Sequence, residues 1–368
     1  MYRSKNAQQN TYVPSYAKSY GRVLPTGLST AANGAGLAQF GAKPQKAEHK
    51  APLGDISVFA RPHMEHSKPA LFNTNDNARI APDHKKAPVK STVVDALNSN
   101  DLEDIDLVDQ GNPLAVPVYV KEIYAYLRQQ EKSAEYRVSE DFISRQHGIK
   151  AESRAAMVDF MVDAHYRLKL ANESIFLAVN ILDRFLAKKQ VAEAKLQLVG
   201  ITSLWLASKF EESYTPSVRS FVRMAPGVDQ KSMFSMERML LKVTGFNLSN
   251  PTSITFLRRF AKVADMSTRD RYLAFYLAEL ANQEAGMVKY LPSEVAAGCV
   301  MLAHKIVRRP AVWTPLLTKY SGYSQDDLSA VVNDLKGIVN RVPSSGLKGI
   351  YRKYSGDRYV QVSRLISY

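Results

Sequence analysis

One stretch, residues 193–212, constrains the fold more than any other part of the sequence. Placed on a helix, its apolar side chains point in every direction around the axis: Leu196, Leu198, Val199, Ile201, Leu204, Trp205, Leu206 and Phe210. A helix that is apolar all round must be wrapped by other elements. Gly200, Ala207 and Ser208 are small enough to let those neighbours approach closely. The sequence therefore predicts a buried central helix inside a helical bundle.

A second stretch of the same kind, residues 292–307, follows about 100 residues later. Helical periodicity predicts further helices around the first stretch, at residues 118–130, 152–168, 173–187, 216–224 and 231–244. Around the second stretch it predicts helices at residues 251–263, 269–284, 314–320 and 325–340, with Pro251 in a first helical turn. No strand pattern is long enough to build a sheet. We therefore predict an all-α fold of two five-helix bundles, repeated in architecture, after one leading helix.

Residues 1–112 show neither the helix nor the strand period and are rich in Gly, Pro, Ser, Asn and Ala, which predicts a disordered tail. They hold 13 Lys and Arg against 11 Asp and Glu, whereas residues 113–368 hold 36 against 24. The basic character of the folded part favours acidic or phosphorylated partners, with nucleic acid as the alternative. The tail contains an acidic patch at residues 101–109. Its basic segment at residues 84–90 is either a weak nuclear-import signal or a solvated charge run.

The usual catalytic signatures are missing, among them Gly-rich phosphate loops, the GxSxG elbow, the protein-kinase motifs and zinc-ligand spacing. Glu211 and Glu212 are adjacent carboxylates without a recognisable partner. Cys299 is the single cysteine, which excludes an intrachain disulfide and fits a reducing compartment. Neither a secretory signal nor an apolar run of membrane-spanning length is apparent. We therefore expect a soluble intracellular binding module, not an enzyme, without metal, cofactor or membrane contact.

Four sequence blocks, in order, resemble the cyclin box: SRAAMVDF, NILDRFL, KLQLVG and LASKFEE, which start at residues 153, 180, 195 and 206. The segments FLRRFAKVAD and KYLPSE, which start at residues 256 and 289, are similar to B-type mitotic cyclins in particular. The resemblance implies tandem cyclin boxes at residues 113–248 and 249–368 after the tail. It also implies a subunit that binds and activates a cyclin-dependent kinase at the G2/M transition, in nucleus and cytoplasm.

The resemblance assigns kinase contacts to seven positions: Lys209, Glu237, Phe210, Phe246, Tyr119, Ile123 and Tyr126. In cyclins the matching Lys and Glu form a pair beside the kinase C-helix. Lys209 is also placed to bond the last carbonyls of its helix, as an ordinary helix-end lysine does. The aromatic and apolar positions have an alternative as core residues. The residues that match Arg154 and Asp183 form a buried ion pair in cyclins, and we interpret these two as structural.

Cyclins also bind Arg-x-Leu peptides of their substrates in a groove on the first box. The matching positions here are Ala156, Met157, Phe160, Asp163, Leu196 and Gln197. Ser153 and Ala156 stand where the family has large apolar side chains. Each buried methylene that is lost removes about 0.8 kcal/mol of binding free energy. We therefore predict a shallow groove that docks peptides weakly.

The tail segment KAPLGDISV resembles the destruction box of mitotic cyclins, which a ubiquitin-ligase receptor recognises. Lys50 stands where Arg is usual, whereas Leu53, Asp55 and Ile56 match. Lysine cannot copy the planar fork of arginine, so we expect a weaker degradation signal. In a basic cluster near residue 260, Arg258 and Arg271 match a phosphate pocket of some B-type cyclins, although a solvated basic face is the alternative.

Two other classes of protein remain as alternatives. General transcription factors share the cyclin fold and are basic, but those would need a zinc-binding N-terminus and they lack the LASKFEE block. A cyclin fold without a kinase, which serves as a scaffold, is the second alternative. The Lys209 and Glu237 positions argue against it.

Overall fold

All regular structure in the described part of the chain is helical. The computed structural model describes residues 104–112 and 115–366. Its α-helices within this range are α1 Val120–Gln130, α2 Ala151–Arg167, α3 Asn172–Lys188, α4 Glu193–Glu211, α5 Val218–Met224, α6 Gln230–Thr244, α7 Ser253–Val263, α8 Thr268–Gln283, α9 Pro292–Ile306, α10 Pro315–Ser321, α11 Ser329–Arg341 and α12 Gly349–Tyr354. The predicted all-α fold is therefore confirmed, with α1 as the leading helix.

The central helix of the first bundle is α4, as its apolar circumference predicted. Every residue from Val199 to Ser208 is buried, and α2, α3, α5 and α6 pack around this helix. Gly200 permits the closest approach, because a Cβ there would lie 2.4 Å from the Cε of Met157 on α2. The hydroxyls of Thr202 and Ser203 donate to carbonyls one turn earlier, which satisfies polar groups that the core would otherwise leave unpaired.

The second bundle repeats this arrangement around α9. The helix is buried from Val295 to His304, and α7, α8 and α11 pack against it. Gly298 has the same role as Gly200, since a Cβ there would lie 2.8 Å from Val331 on α11. The two buried helices predicted from the sequence are thus the centres of two bundles.

Local sequence signals set both ends of α6. Asp229 caps the start of α6 by accepting the Ser232 N–H at 2.9 Å, and Gly245 ends that helix in the left-handed conformation. The prediction that Pro251 lies in the first turn of α7 is wrong. Thr252 is extended and takes the cap position, so that α7 begins at Ser253 and Pro251 lies outside it.

The periodicity did not predict α12, which packs against α2 of the first bundle and α8 of the second. The backbone N–H of Gly349 donates to the Asp159 carboxylate at 2.8 Å. A buried ion pair joins Lys353 to Glu279 on α8, with 2.5 Å between Nζ and Oε1. The last part of the chain therefore fastens the two bundles to each other.

The described structure includes residues that were predicted to belong to the tail. Residues 104–109 were expected to belong to the disordered tail, yet Asp106 is only 4% exposed. Its carboxylate accepts two hydrogen bonds from Arg259 on α7, at 2.5 and 2.6 Å. Basic side chains of the second bundle hold this acidic stretch in place. Its composition alone therefore wrongly predicted disorder. Within the described residues, no helix is both long and apolar enough to cross a membrane.

Candidate functional site

The predicted pair of Lys209 and Glu237 lies where the last turn of α4 meets α6. The Lys209 ammonium donates to the Glu237 carboxylate and lies 4.0 Å from the centroid of the Trp205 ring. Trp205 in turn packs edge-on against Phe234 of α6, with 5.6 Å between ring centroids. The lysine stem follows the apolar helix while its head is fixed at the surface, where the side chain stays 37% exposed.

The two phenylalanines among the predicted kinase contacts are exposed. Phe210 is 51% exposed and Phe246 is 73% exposed. Phe246 also has a positive φ of 60°, an uncommon and strained conformation for an aromatic residue. Its N–H donates to the Leu241 carbonyl at 2.9 Å, and the neighbouring Asn247 side chain bonds Tyr136 at 2.7 Å. The surrounding structure therefore holds an apolar ring in solvent.

The outer face of α1 is exposed as well. Tyr119, Ile123 and Tyr126 are 59%, 40% and 57% exposed, whereas Tyr124 and Leu127 pack against the core. Core packing, the alternative for Tyr119, Ile123 and Tyr126, is therefore wrong, as it is for Phe210 and Phe246. Large apolar side chains that remain exposed together on one helix face are typical of a surface that binds another protein.

This arrangement suits binding. The Lys209 ammonium has three donors and the Glu237 carboxylate has two acceptor oxygens, so both retain capacity after they bond each other. Such a pair can bond backbone carbonyl and N–H groups of a partner, while the aromatic rings beside it pack against apolar side chains. Among the residues that the structure describes, no cluster of His, Cys, Asp and Glu could hold a metal ion.

The predicted structural pair lies in the interior. Arg154 on α2 donates to both oxygens of Asp183 on α3, at 2.8 and 2.7 Å, and both side chains are buried. The same guanidinium donates to the carbonyls of Gln283 at 2.7 Å and Asn282 at 3.1 Å, at the end of α8. Arg154 therefore joins α2 and α3 of the first bundle to α8 of the second bundle, which the sequence did not predict.

The positions of the predicted docking groove are mostly buried. Ala156, Met157, Phe160 and Leu196 have exposed fractions of 8%, 0%, 5% and 0%. Gln197 and Asp163 are half-buried, and Arg352 of α12 donates to the Asp163 carboxylate at 3.0 Å. Little apolar surface is thus available for a peptide side chain. This supports the prediction of weak docking, which stays a prediction.

Comparison with known proteins identifies the family. The model of the cyclin N-terminal domain matches residues 122–249, and that of the cyclin C-terminal domain matches residues 251–368. The chain is 34% identical over 299 residues to a G2/mitotic-specific cyclin-B of Hydra viridissima, which covers 81% of this chain and 74% of that protein. This chain belongs to the B-type cyclins.

Other comparisons agree with this assignment. A G2/mitotic-specific cyclin-B of Dictyostelium discoideum is 36% identical over 265 residues, 72% of this chain and 60% of that relative's length. The crystal structure of a viral cyclin from herpesvirus saimiri superposes with a TM-score of 0.53 at 18% identity. It covers 59% of this chain and 96% of the viral chain, and it shows that the fold is shared.

The basic cluster of this cyclin is largely occupied by its own carboxylates. Arg258 forms an ion pair of 2.6 Å with Glu173 on α3 and lies over the Phe275 ring. Arg271 donates to the Thr268 hydroxyl at 3.3 Å. The two arginines of the predicted phosphate pocket thus have separate partners. The predicted degradation signal, Lys50, Leu53, Asp55 and Ile56, lies outside the described residues.

Three contributors to the site were missed at the sequence level. Trp205 lies four residues before Lys209, a spacing that places both on one helix face and could have indicated their contact. Glu212, which had no recognisable partner, accepts the N–H of Ala171 at 2.7 Å and caps α3. Arg352 lies on the unpredicted helix α12, so its contact with Asp163 had no signal in the helical periodicity.

Proposed function

We propose that this cyclin is a regulatory, non-catalytic subunit that binds and activates a cyclin-dependent kinase and so promotes the G2/M transition. The observation that carries the proposal is the exposed apolar surface around the Lys209–Glu237 pair. Relatives named as G2/mitotic-specific cyclins support the mitotic assignment. This chain matches 60% of the length of the Dictyostelium relative, so the activity of the whole protein is part of this proposal.

Activation would follow from differential binding. A kinase alternates between an inactive arrangement and one in which its C-helix glutamate reaches the catalytic lysine. The Lys209–Glu237 pair and the exposed rings of Phe210 and Phe246 offer polar and apolar contacts to a helix that has moved inward. A surface that binds only this arrangement shifts the kinase towards it, by as much as the two binding free energies differ.

Purified protein and a purified mitotic cyclin-dependent kinase test this proposal in a histone-phosphorylation assay. We expect the wild type to activate the kinase. The Lys209→Ala/Glu237→Ala variant should activate it at least about tenfold less, because it lacks polar groups that the free protein already holds in position for the kinase. The matched control is Arg341→Ala/Glu284→Ala, which deletes an exposed ion pair of 3.1 Å in the second bundle. Equal activation by wild type and the Lys209 variant would contradict the site assignment. No activation by the wild type would contradict the function.

Regulation through the tail is a further part of the proposal. The segment with Lys50 and Leu53 is proposed to direct ubiquitin-dependent destruction, and the protein is proposed to occupy nucleus and cytoplasm. The Lys50→Arg variant should be degraded faster in mitotic extract, because arginine supplies the bidentate fork that lysine lacks. Leu53→Ala should be stable there. Equal half-lives of all three proteins would contradict this role of the segment.

A further inference from the structure

The leading helix α1 is held in its N-terminal half by the second bundle. Its Tyr124 hydroxyl donates to the Thr255 carbonyl on α7 at 3.1 Å. The Arg259 guanidinium lies between the rings of Tyr124 and Tyr320, with its carbon 5.2 and 5.1 Å from the two centroids. The buried carboxylate of Asp106 fixes Arg259 in this stack, because it accepts a hydrogen bond from each of two guanidinium nitrogens. A planar guanidinium can be stacked and doubly bonded in this way, whereas an ammonium cannot.

The C-terminal end of α1 is fixed to the same bundle by a second set of contacts. The Glu131 carboxylate accepts the Ser293 N–H at 2.9 Å and the Ser293 hydroxyl at 2.7 Å, at the start of α9. Glu131 is only 1% exposed. Arg128 donates to the Tyr323 hydroxyl at 2.9 Å and stacks over that ring. We call the Asp106–Arg259 and Glu131–Ser293 contacts together the α1 clamp.

The helix needs such support. It has 11 residues, and its cap residue Tyr119 makes no side-chain hydrogen bond to the first turn. Isolated helices shorter than about 12–15 residues are marginal in water. The exposed positions Tyr119, Ile123 and Tyr126 have a defined arrangement only while the helix is formed and held. The second bundle carries none of the seven predicted kinase contacts, yet it holds the helix that carries three of them.

We propose that Asp106 and Arg259 are positioning residues, through which the second bundle holds α1 in the orientation that binds the kinase. This inference rests on the proposed function, and it adds a role for the second bundle in kinase affinity. The Arg259 donors lower the pKa of the Asp106 carboxyl, so the pair stays ionised at neutral pH.

The test measures the dissociation constant for a purified mitotic cyclin-dependent kinase by isothermal titration calorimetry. The variant Asp106→Asn keeps the shape of the side chain and removes its charge. We expect it to bind about tenfold more weakly, within the usual range of coupling between sites. The control Glu284→Gln neutralises a carboxylate of the exposed pair with Arg341 in the same bundle, and it should bind as the wild type does.

A double-mutant cycle separates positioning from a general loss of stability. In the Asp106→Asn background, Tyr119→Ala should cost less binding free energy than in the wild type, because α1 already contributes less. Lys209→Ala should cost the same in both backgrounds, since α4 does not depend on the clamp. Unchanged affinity of Asp106→Asn, or equal costs of Tyr119→Ala in both backgrounds, would overturn the proposal.

Hydrogen exchange of the free protein gives a readout that does not need the kinase. The α1 amides should exchange at least about tenfold faster in Asp106→Asn, while the α4 amides keep their wild-type rates. Arg259→Lys, which retains the charge but not the stack, should show the same selective change if Asp106→Asn folds poorly. If the wild-type protein binds the kinase but α1 exchange is unchanged in both variants, the role of the clamp is refuted and the proposed function is not. Failure of the wild type to bind would refute the proposed function, and with it the kinase-binding role of the clamp.

Discussion

The loss of Arg154 should destabilise this cyclin more than the loss of any exposed ion pair. Arg154→Met removes four donated hydrogen bonds, two to Asp183 and two to the carbonyls of Asn282 and Gln283. A buried charge left without its partner costs about 3–5 kcal/mol. Each stranded carbonyl adds about 1–3 kcal/mol when water cannot replace the donor. These effects overlap, so we expect a total loss of about 4–6 kcal/mol.

Urea unfolding followed by circular dichroism measures this loss as a shift of the transition midpoint. The double variant Arg154→Met/Asp183→Leu provides the internal check, because it removes the stranded carboxylate as well. It should recover roughly 3 kcal/mol relative to the single variant, since apolar pairs often replace buried ion pairs at little cost. Recovery should be incomplete, because the two carbonyls of the second bundle remain without a donor. Arg341→Met, at an exposed ion pair, should lose no more than about 1 kcal/mol.

Two outcomes would refute this reasoning. A loss below about 1 kcal/mol for Arg154→Met would mean that the interior pair contributes no more than a surface pair. A double variant that is less stable than the single variant would mean that the stranded Asp183 carboxylate is not the main cost. Either result would show that burial and geometry have been given too much weight.

Two further predictions concern pH and peptide docking. Burial lowers the pKa of His165 and His304, so the fold favours their neutral forms and unfolding below pH 6.5 takes up protons. Stability should therefore fall by about 1 kcal/mol for His165 as pH drops from 6.5 to 5.5. His165→Gln should flatten the pH dependence of the midpoint of thermal unfolding over that interval, and an unchanged slope would contradict this. In a fluorescence-polarisation titration, an Arg-x-Leu peptide should bind more weakly than to a cyclin with an intact MRAIL groove, because Ala156 is small and Arg352 holds Asp163; equal affinity would contradict the shallow groove.

The helices that the sequence predicted are those whose apolar side chains repeat at helical spacing. The buried helix α4 could be predicted because its apolar side chains surround its axis. By contrast, α12 has six residues, too few for a periodic pattern to emerge. The acidic stretch at residues 104–109 was misinterpreted because Asp106 pairs with Arg259, 153 positions away, and no local pattern encodes that distance. The composition of this stretch predicted solvated, disordered chain, whereas ion pairs with distant residues hold it in the fold.

The same ion pairs decide what the basic charge of this cyclin can do. The basic charge of residues 113–368 left nucleic acid as an alternative partner, because basic side chains attract phosphates. In the fold, Arg258 is paired with Glu173, Arg259 with Asp106, and Lys262 with Asp109. A phosphate would have to displace a carboxylate at each of these bases. The exposed apolar rings near Lys209 face no such competition, so the chemistry of this surface favours a protein partner with an apolar patch.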